Sequence, residues 1–316
     1  MDYQIEKDQT TDDVLGDMDL TGKRVLLTGA GAGLGLETCR AMAVRGAEVI
    51  GAVRDPDKAR AAIAQLAGDA SGSVELVKLD LASLQSVRQC ADALLAKGAP
   101  FDVIICNAGV MATPQGKTSD GHETQLGINH LGHFLLVNLL VPLLRSGSRV
   151  IILSSMAHRL ADIDLDDPNF ERRSYDAWMA YGAAKTANVL FTVELDKRLR
   201  DRGVRVAAVH PGVVTDTALT RHMSREDYSA FVNAERDIHH RNKSIPEGAA
   251  TTVWAAFVAP ADDVGGRYSQ DCQLFDVNDS QVVSNHGPRA YALDPDRAAR
   301  LWTISEQMVG QSFDFA

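Results

Sequence analysis

Residues 24–55, RVLLTGAGAGLGLETCRAMAVRGAEVIGAVRD, hold a short apolar run, a glycine-punctuated turn, a helical stretch and a second apolar run. Arg24–Thr28 and Ala47–Val53 have the length and near-continuous apolar character of strands buried on both faces. Leu34–Arg45 between them is helical in pattern and long enough to cross from one strand to the next. Strand, helix, strand in that order makes a right-handed βαβ unit with its two strands parallel. The alternation continues outward. Val74–Leu79, Asp102–Cys106, Arg149–Ser154, Arg205–His210 and a weaker Gly265–Ser269 read as further strands. Asp57–Leu66, Leu84–Lys97, Glu123–Leu144, Trp178–Arg200 and Pro246–Val258 read as helices, with a last one around Arg297–Met308. The expected architecture is α/β: one doubly wound parallel sheet with helices on both faces.

Three pieces stand outside this alternation. Residues 1–21 form a polar extension ahead of a single domain spanning 22–316. An acidic, proline-containing insertion covers about 157–177, and the chain from about 270 to 316 is loop-like before its final helix. Irregular segments at the carboxyl ends of sheet strands are where such folds build ligand sites. With 316 residues the chain can bury a large core without disulfides. Its 42 acidic and 32 basic residues give a net charge of −10, which argues against a nucleic-acid partner. Cys39, Cys90, Cys106 and Cys272 are scattered without metal-ligand spacing and read as small hydrophobes in a reducing compartment. The longest apolar stretch, Phe134–Leu144, is far short of the roughly 20 residues that cross a bilayer. No membrane partner is expected, and the location expected is cytoplasmic.

The glycine turn is a phosphate cradle in form. Gly29, Gly31, Ala32, Gly33, Leu34 and Gly35 lie between a strand and a helix N-terminus, where backbone amides can approach a pyrophosphate. A methyltransferase uses a similar turn, so the cradle alone does not name the cofactor. The tip of the second strand carries Arg54 where a carboxylate would chelate the ribose of NAD. A guanidinium there suits the 2′-phosphate of NADP(H), although Asp55 could turn inward and favour NAD(H). Asp80, followed by Leu81, is placed to meet an adenine edge or to cap the helix after Ser83. Asn107, Ala108 and Gly109 end the next strand with small residues that let a ring approach.

Tyr181 and Lys185 are four apart in a helical stretch and share a face. An ammonium near a phenol favours phenolate, and a tyrosine so tuned can exchange a proton with a carbonyl or alcohol oxygen. Ser154 and Ser155 end a strand just before, and a hydroxyl there can bind the same oxygen. Asn129 opens or lies within the helix before them.

Taken together, these residues resemble the short-chain dehydrogenase/reductase family, in family order: TGAGAGLG (28–35), Asp80, NAG (107–109), Asn129, Ser155, YGAAK (181–185) and His210-Pro211-Gly212. The stretches NHLGHFLL (129–136), SSMAH (154–158) and AKTANVLFTVEL (184–195) look most like its retinol-dehydrogenase-like and WW-domain-oxidoreductase-like branch, in a soluble bacterial form. The resemblance implies a Rossmann-type sheet. It makes Tyr181 the general acid/base, with Lys185 lowering its pKa and holding the nicotinamide ribose. Ser155 would orient the substrate oxygen, Asn129 would support a water-linked proton relay, and Asn107 would lie near the adenosine ribose. Pro211, Gly212, Val214 and Thr215 would line the nicotinamide end.

Two features depart from the family pattern. Ser155 and Tyr181 are 26 positions apart, about twice the common spacing, so the residues between must loop out. Asp216 stands where the family usually has a threonine, leaving Thr215 or Thr217 to contact the carboxamide. Residues of about 217–245 occupy the place of the family's mobile substrate lid. Met156, His158, Thr217 and Leu219 are expected near the substrate, and Leu160, Trp178, Met223 and Phe231 hint at a bulky hydrophobic carbonyl. The histidine pairs His130/His133 and His239/His240 lack a third metal ligand; no metal is expected. The helices around Phe134–Leu144 and Val189–Leu199 resemble those that family members use to form homodimers and homotetramers. The expected activity is NADP(H)-dependent interconversion of a ketone or aldehyde and an alcohol. A non-catalytic NADP(H)-binding sensor or scaffold is the alternative.

Overall fold

A computed structural model describes residues 9–66, 70–222, 226, 242–280 and 286–315. The strands are β1 (Arg24–Thr28), β2 (Glu48–Val53), β3 (Ser73–Lys78), β4 (Phe101–Cys106), β5 (Leu144–Leu153), β6 (Arg205–His210), β7 (Tyr268–Gln270) and β8 (Gln273–Leu274). Among the described residues they form one eight-stranded sheet in the order β3-β2-β1-β4-β5-β6-β7-β8. Every pairing is parallel except β7 with β8. The loop-like reading after Ser269 therefore missed a short antiparallel edge strand. Two residues are too few to show a period, and the hairpin turn uses Asp271 and Cys272 at φ 51° and 54°, where glycine would be the usual signal.

Helices α2 (Gly33–Ala43), α3 (Pro56–Leu66) and α8 (Ile245–Val253) cover one face. The other is covered by α4 (Leu84–Lys97), α6 (Gly132–Leu140), α7 (Ala177–Leu199) and α10 (Pro295–Val309). The period of two in β1 explains the two cores: Leu26 packs on the α4/α6/α7 side, while Val25 and Leu27 pack on the α2/α8 side. Before α6, a single turn α5 (Thr124–Leu126) widens into a π turn at Gly127–Leu131 that carries Asn129. Thr124–Leu143 is long and apolar enough to span a membrane by length and composition, yet it is mostly buried in this core.

The polar extension contains more structure than its composition suggests. Thr10 and Asp13 form a reciprocal capping box at α1 (Thr11–Leu15), and Leu15 and Leu20 are buried against the α2/α8 side. Asp12 is held by Arg40 at 2.8 Å and Arg45 at 2.9 Å. The insertion is likewise anchored: Ile163 and Leu165 enter the core, Phe170 is buried against Tyr175, and Arg297 of α10 bonds the Ile163 carbonyl and Asp162, each at 2.8 Å.

Aromatic side chains of the helices in Phe134–Leu144 and Val189–Leu199 are packed within the chain. Phe134 and Phe191 pack on Trp302 of α10 at ring separations of 5.0 and 6.1 Å, and Phe313 closes on Phe134 at 5.9 Å. α10 of the same chain thus covers the rings of Phe134 and Phe191. Met223, Phe231, His239, His240 and most of the lid (217–245) lie outside the described residues.

Candidate active site

The strand order reverses between β1 and β4, so the loops leaving their carboxyl ends diverge and open a crevice there. Gly29 (φ 74°) and Gly33 (φ 53°) take left-handed turns that a side chain resists. A Cβ on Gly35 would collide with the Gly29 carbonyl oxygen and stand 2.6 Å from Asn107 Nδ2, so helix and turn are pressed together. Ala32, the N-cap of α2, offers no side-chain cap. The positive end of an eleven-residue helix thus faces the crevice, an arrangement that fits a pyrophosphate. Thr217 rests its methyl 3.5 Å from where a Gly33 Cβ would be. Expected at the substrate, Thr217 instead stands over the phosphate turn, because the chain after β6 folds back across the crevice.

At the tip of β2 Arg54 is exposed, whereas Asp55 accepts the Lys58 amide at 3.1 Å and caps α3. The aspartate is engaged with its own helix rather than turned inward. Sequence reading missed Arg221, whose pKa is lowered by burial and then by repulsion from Arg54; two guanidinium groups therefore share this corner. Asp80 makes a local turn with the Ala82 amide at 3.0 Å, while Ser83 caps α4 itself. Leu81 is buried under Gly132. Asn107 bonds the Thr28 carbonyl at 2.8 Å and lies beneath Gly29 and Gly35, so it ties β4 to β1 below the phosphate turn.

Ser155, Tyr181, Lys185 and Asn129 come together. Ser154 donates to the Lys185 carbonyl at 2.9 Å and is buried, which leaves Ser155 as the hydroxyl on the crevice side, hydrogen-bonded to the Tyr181 phenol. Lys185 Nζ stands 5.6 Å from the Tyr181 ring centre and donates to the Leu153 carbonyl at 3.1 Å. A Cβ on Gly109 would lie 2.9 Å from Asn129 Oδ1 and 3.8 Å from Lys185 Nζ, so Gly109 makes room where the two meet. The Asn129 amide clamps Val110 by two hydrogen bonds of 2.9 and 3.0 Å.

The electrostatics differ from expectation in sign. Burial pushes the Tyr181 phenol up to about 12, against the pull of Ser155, and pushes Lys185 down to about 8. Desolvation disfavours the charged form of each. The apolar wall beside the phenol consists of Met111, Ala112, Ala157, Trp178 and Leu219. Ala112 sits at φ 47°, a local backbone strain next to the reacting group. Leu219 is the member of this wall contributed by the chain after β6. Met156 is half-buried in the turn after Ser155. His158 is not a substrate contact: it is fully buried, with Nδ1 2.6 Å from the Ser155 carbonyl and Nε2 accepting the Arg289 amide at 3.3 Å.

Beyond Pro211 and Gly212, Thr215 is buried and bonded to Asn242, whose amide donates to its hydroxyl at 2.6 Å, while Asp216 is exposed. Val214 packs at Gly248 of α8. The stem of Lys243 packs on Gly212 and its ammonium pairs with Asp271. Asn242, Lys243 and Asp271 carry no short-range signal, since each meets its partner across 27 or 28 positions.

Comparison with known proteins agrees with this geometry. The family model for short chain dehydrogenases matches residues 23–227. Human retinol dehydrogenase 12 is 40% identical over 301 residues, covering 93% of this chain and 88% of that protein. Human WW domain-containing oxidoreductase is 38% identical over 310 residues, covering 95% of this chain and 71% of that one. Among solved structures, an uncharacterized protein from Mycobacterium paratuberculosis superposes with a TM-score of 0.74 at 36% identity, covering 98% of this chain and 100% of that one. The chain belongs to the short-chain dehydrogenase/reductase family of oxidoreductases acting between alcohols and carbonyls.

Proposed function

We propose that the chain is an NADP(H)-dependent carbonyl reductase in which Tyr181 delivers the proton to the substrate oxygen. The convergence of Ser155, Tyr181 and Lys185 beside Gly109, across the crevice from the open start of α2, carries this reading. Gly29, Gly31, Gly33 and Gly35 would hold the pyrophosphate on the α2 amides, and Lys185 would hold the nicotinamide ribose. A bound nicotinamide supplies or accepts the hydride. Ser155 orients the carbonyl oxygen, Tyr181 gives it a proton, and the wall of Met111, Trp178 and Leu219 keeps water away from both. Burial keeps the phenol protonated at neutral pH, the form in which it can donate. Coenzyme choice is assigned to Arg54 and Arg221, which together suit a 2′-phosphate; capping by Asp55 removes the carboxylate that would oppose it.

The test is coenzyme consumption with a set of aldehydes and ketones, using NADPH and NADH in parallel. NADPH should be preferred by at least about tenfold, the worth of one charge-assisted hydrogen bond. Tight binding of NADPH with no carbonyl reduced would leave the sensor or scaffold reading standing instead.

A further inference from the structure

The hydroxyl of Thr28, at the end of β1, accepts two backbone amides from the end of β4: Asn107 N–H at 2.9 Å and Ala108 N–H at 3.0 Å. Both its lone pairs are then used, and its single proton must find an acceptor. His133 Nε2 stands 2.9 Å away, whereas the other candidate among the described residues, the Ile105 carbonyl, is at 3.5 Å. Nε2 is therefore the bare nitrogen and Nδ1 carries the hydrogen. Nδ1 in turn lies 3.0 Å from the Asn129 carbonyl and donates to it. His133 is 1% exposed, and burial holds it neutral, its pKa pushed down to about 4. The neutral Nδ1–H tautomer satisfies every polar atom of this chain of contacts.

The ends of that chain are the crevice walls. Asn107 and Ala108 lie against Gly29, and the same stretch continues through Gly109 to Val110, which the Asn129 amide clamps. Without His133 the β4 end would be fixed to β1 through Thr28 and to Asn129 through Val110, with nothing tying the π turn itself to β1. We infer that His133 is a positioning residue: it straps Asn129 to Thr28 and so registers the floor of the cofactor crevice against Tyr181 and Lys185. The inference rests on the reading that the crevice takes a nicotinamide dinucleotide.

Two substitutions divide the strap. His133→Asn keeps a donor at the δ position for the Asn129 carbonyl but gives up the acceptor for Thr28. His133→Gln keeps an acceptor at the ε position for Thr28 but gives up the donor to Asn129. Each removes one buried hydrogen bond, worth about five- to tenfold. His133→Asn should weaken NADPH binding by that factor and leave kcat within about twofold; His133→Gln should do the reverse. Thr28→Ser keeps all three hydrogen bonds and should leave NADPH binding and kcat within about twofold of wild type, whereas Thr28→Val also orphans the Asn107 and Ala108 amides and should weaken NADPH binding more than His133→Asn does. Nitrogen NMR of the wild type should show His133 as the Nδ1–H tautomer. If all variants lose binding and kcat together in step with stability, or the Nε2–H tautomer is found, the role is overturned and His133 is a packing residue. A wild type that shows the Nδ1–H tautomer but binds neither NADPH nor NADH overturns the dinucleotide reading, and registration with it, while leaving the strap intact.

Discussion

Replacing Lys185 by Met should stabilise the protein while abolishing its chemistry. Burial lowers the ammonium from its ordinary 10.5 to about 8, which at about 1.4 kcal/mol per pH unit is a folding penalty of about 3 kcal/mol. The hydrogen bond lost with Nζ leaves no orphan, because the Leu153 carbonyl also accepts Asn188 Nδ2 at 2.9 Å. Methionine fills nearly the same volume, so the net gain at pH 7 should be about 2–3 kcal/mol, or about 1 M in urea midpoint at a slope near 3 kcal/mol/M. The sign follows from linkage. Below pH 8 the lysine is charged in both states and the whole penalty is present; between pH 8 and 10.5 only the unfolded chain binds the proton, so the wild type catches up as pH rises. At pH 9.5 the penalty has fallen by about 2 kcal/mol, so the gap should shrink to about 0–1 kcal/mol. Urea unfolding of both proteins at pH 7 and 9.5, followed by tryptophan fluorescence, measures it. A variant less stable than wild type at pH 7, or a gap that does not narrow, would refute the claim that desolvation dominates this lysine.

Gly35→Ala drives a Cβ into the Gly29 carbonyl and onto Asn107 Nδ2, so the fold should lose about 1–3 kcal/mol and NADPH affinity at least about tenfold; titration of coenzyme fluorescence decides, and native affinity would contradict the crevice geometry. Acid should unfold the protein early. His130, His133 and His158 are pushed from 6.5 to about 3, 4 and 4 by burial, so stability is intact above pH 6.5. As pH falls toward 4 the unfolded chain takes up three protons and stability drops by about 4 kcal/mol per unit, visible as a falling urea midpoint; a flat profile would mean the rings are charged in the fold. Trp302→Ala should cost about 3–5 kcal/mol and bare Phe134 and Phe191, giving concentration-dependent association in light scattering; a stable, monodisperse variant would show that α10 is dispensable as a cover. Arg221→Ala should narrow the NADPH-over-NADH preference as Arg54→Ala does, and an unchanged coenzyme ratio would remove Arg221 from the phosphate corner.

Much of the crevice was legible because its signals are local. The β1–turn–α2 unit and the Tyr181/Lys185 pair one turn apart both depend on spacings of a few residues. What sequence left open depends on contacts made across the fold. His158 looked available for substrate because it follows Ser155, but Tyr268 and the Arg289 amide close over it from the far end of the chain. The pull of Lys185 on Tyr181 was read from proximity alone, whereas its size depends on burial, which only packing sets. The apolar helices around Phe134 and Phe191 declared a face to be covered without saying by what; Trp302 supplies the answer from more than 100 positions away. In the extension, the Thr10–Asp13 spacing was a helix-start signal that polar composition obscured.

The most direct measurement compares wild type with Tyr181→Phe for NADPH consumption on the same set of aldehydes and ketones, with NADPH affinity measured alongside. Wild type should reduce at least one of them, and the variant should lose about 10²–10⁴-fold in kcat while binding NADPH within about twofold of wild type. A variant that keeps the wild-type rate would contradict the assignment of Tyr181 as the proton donor.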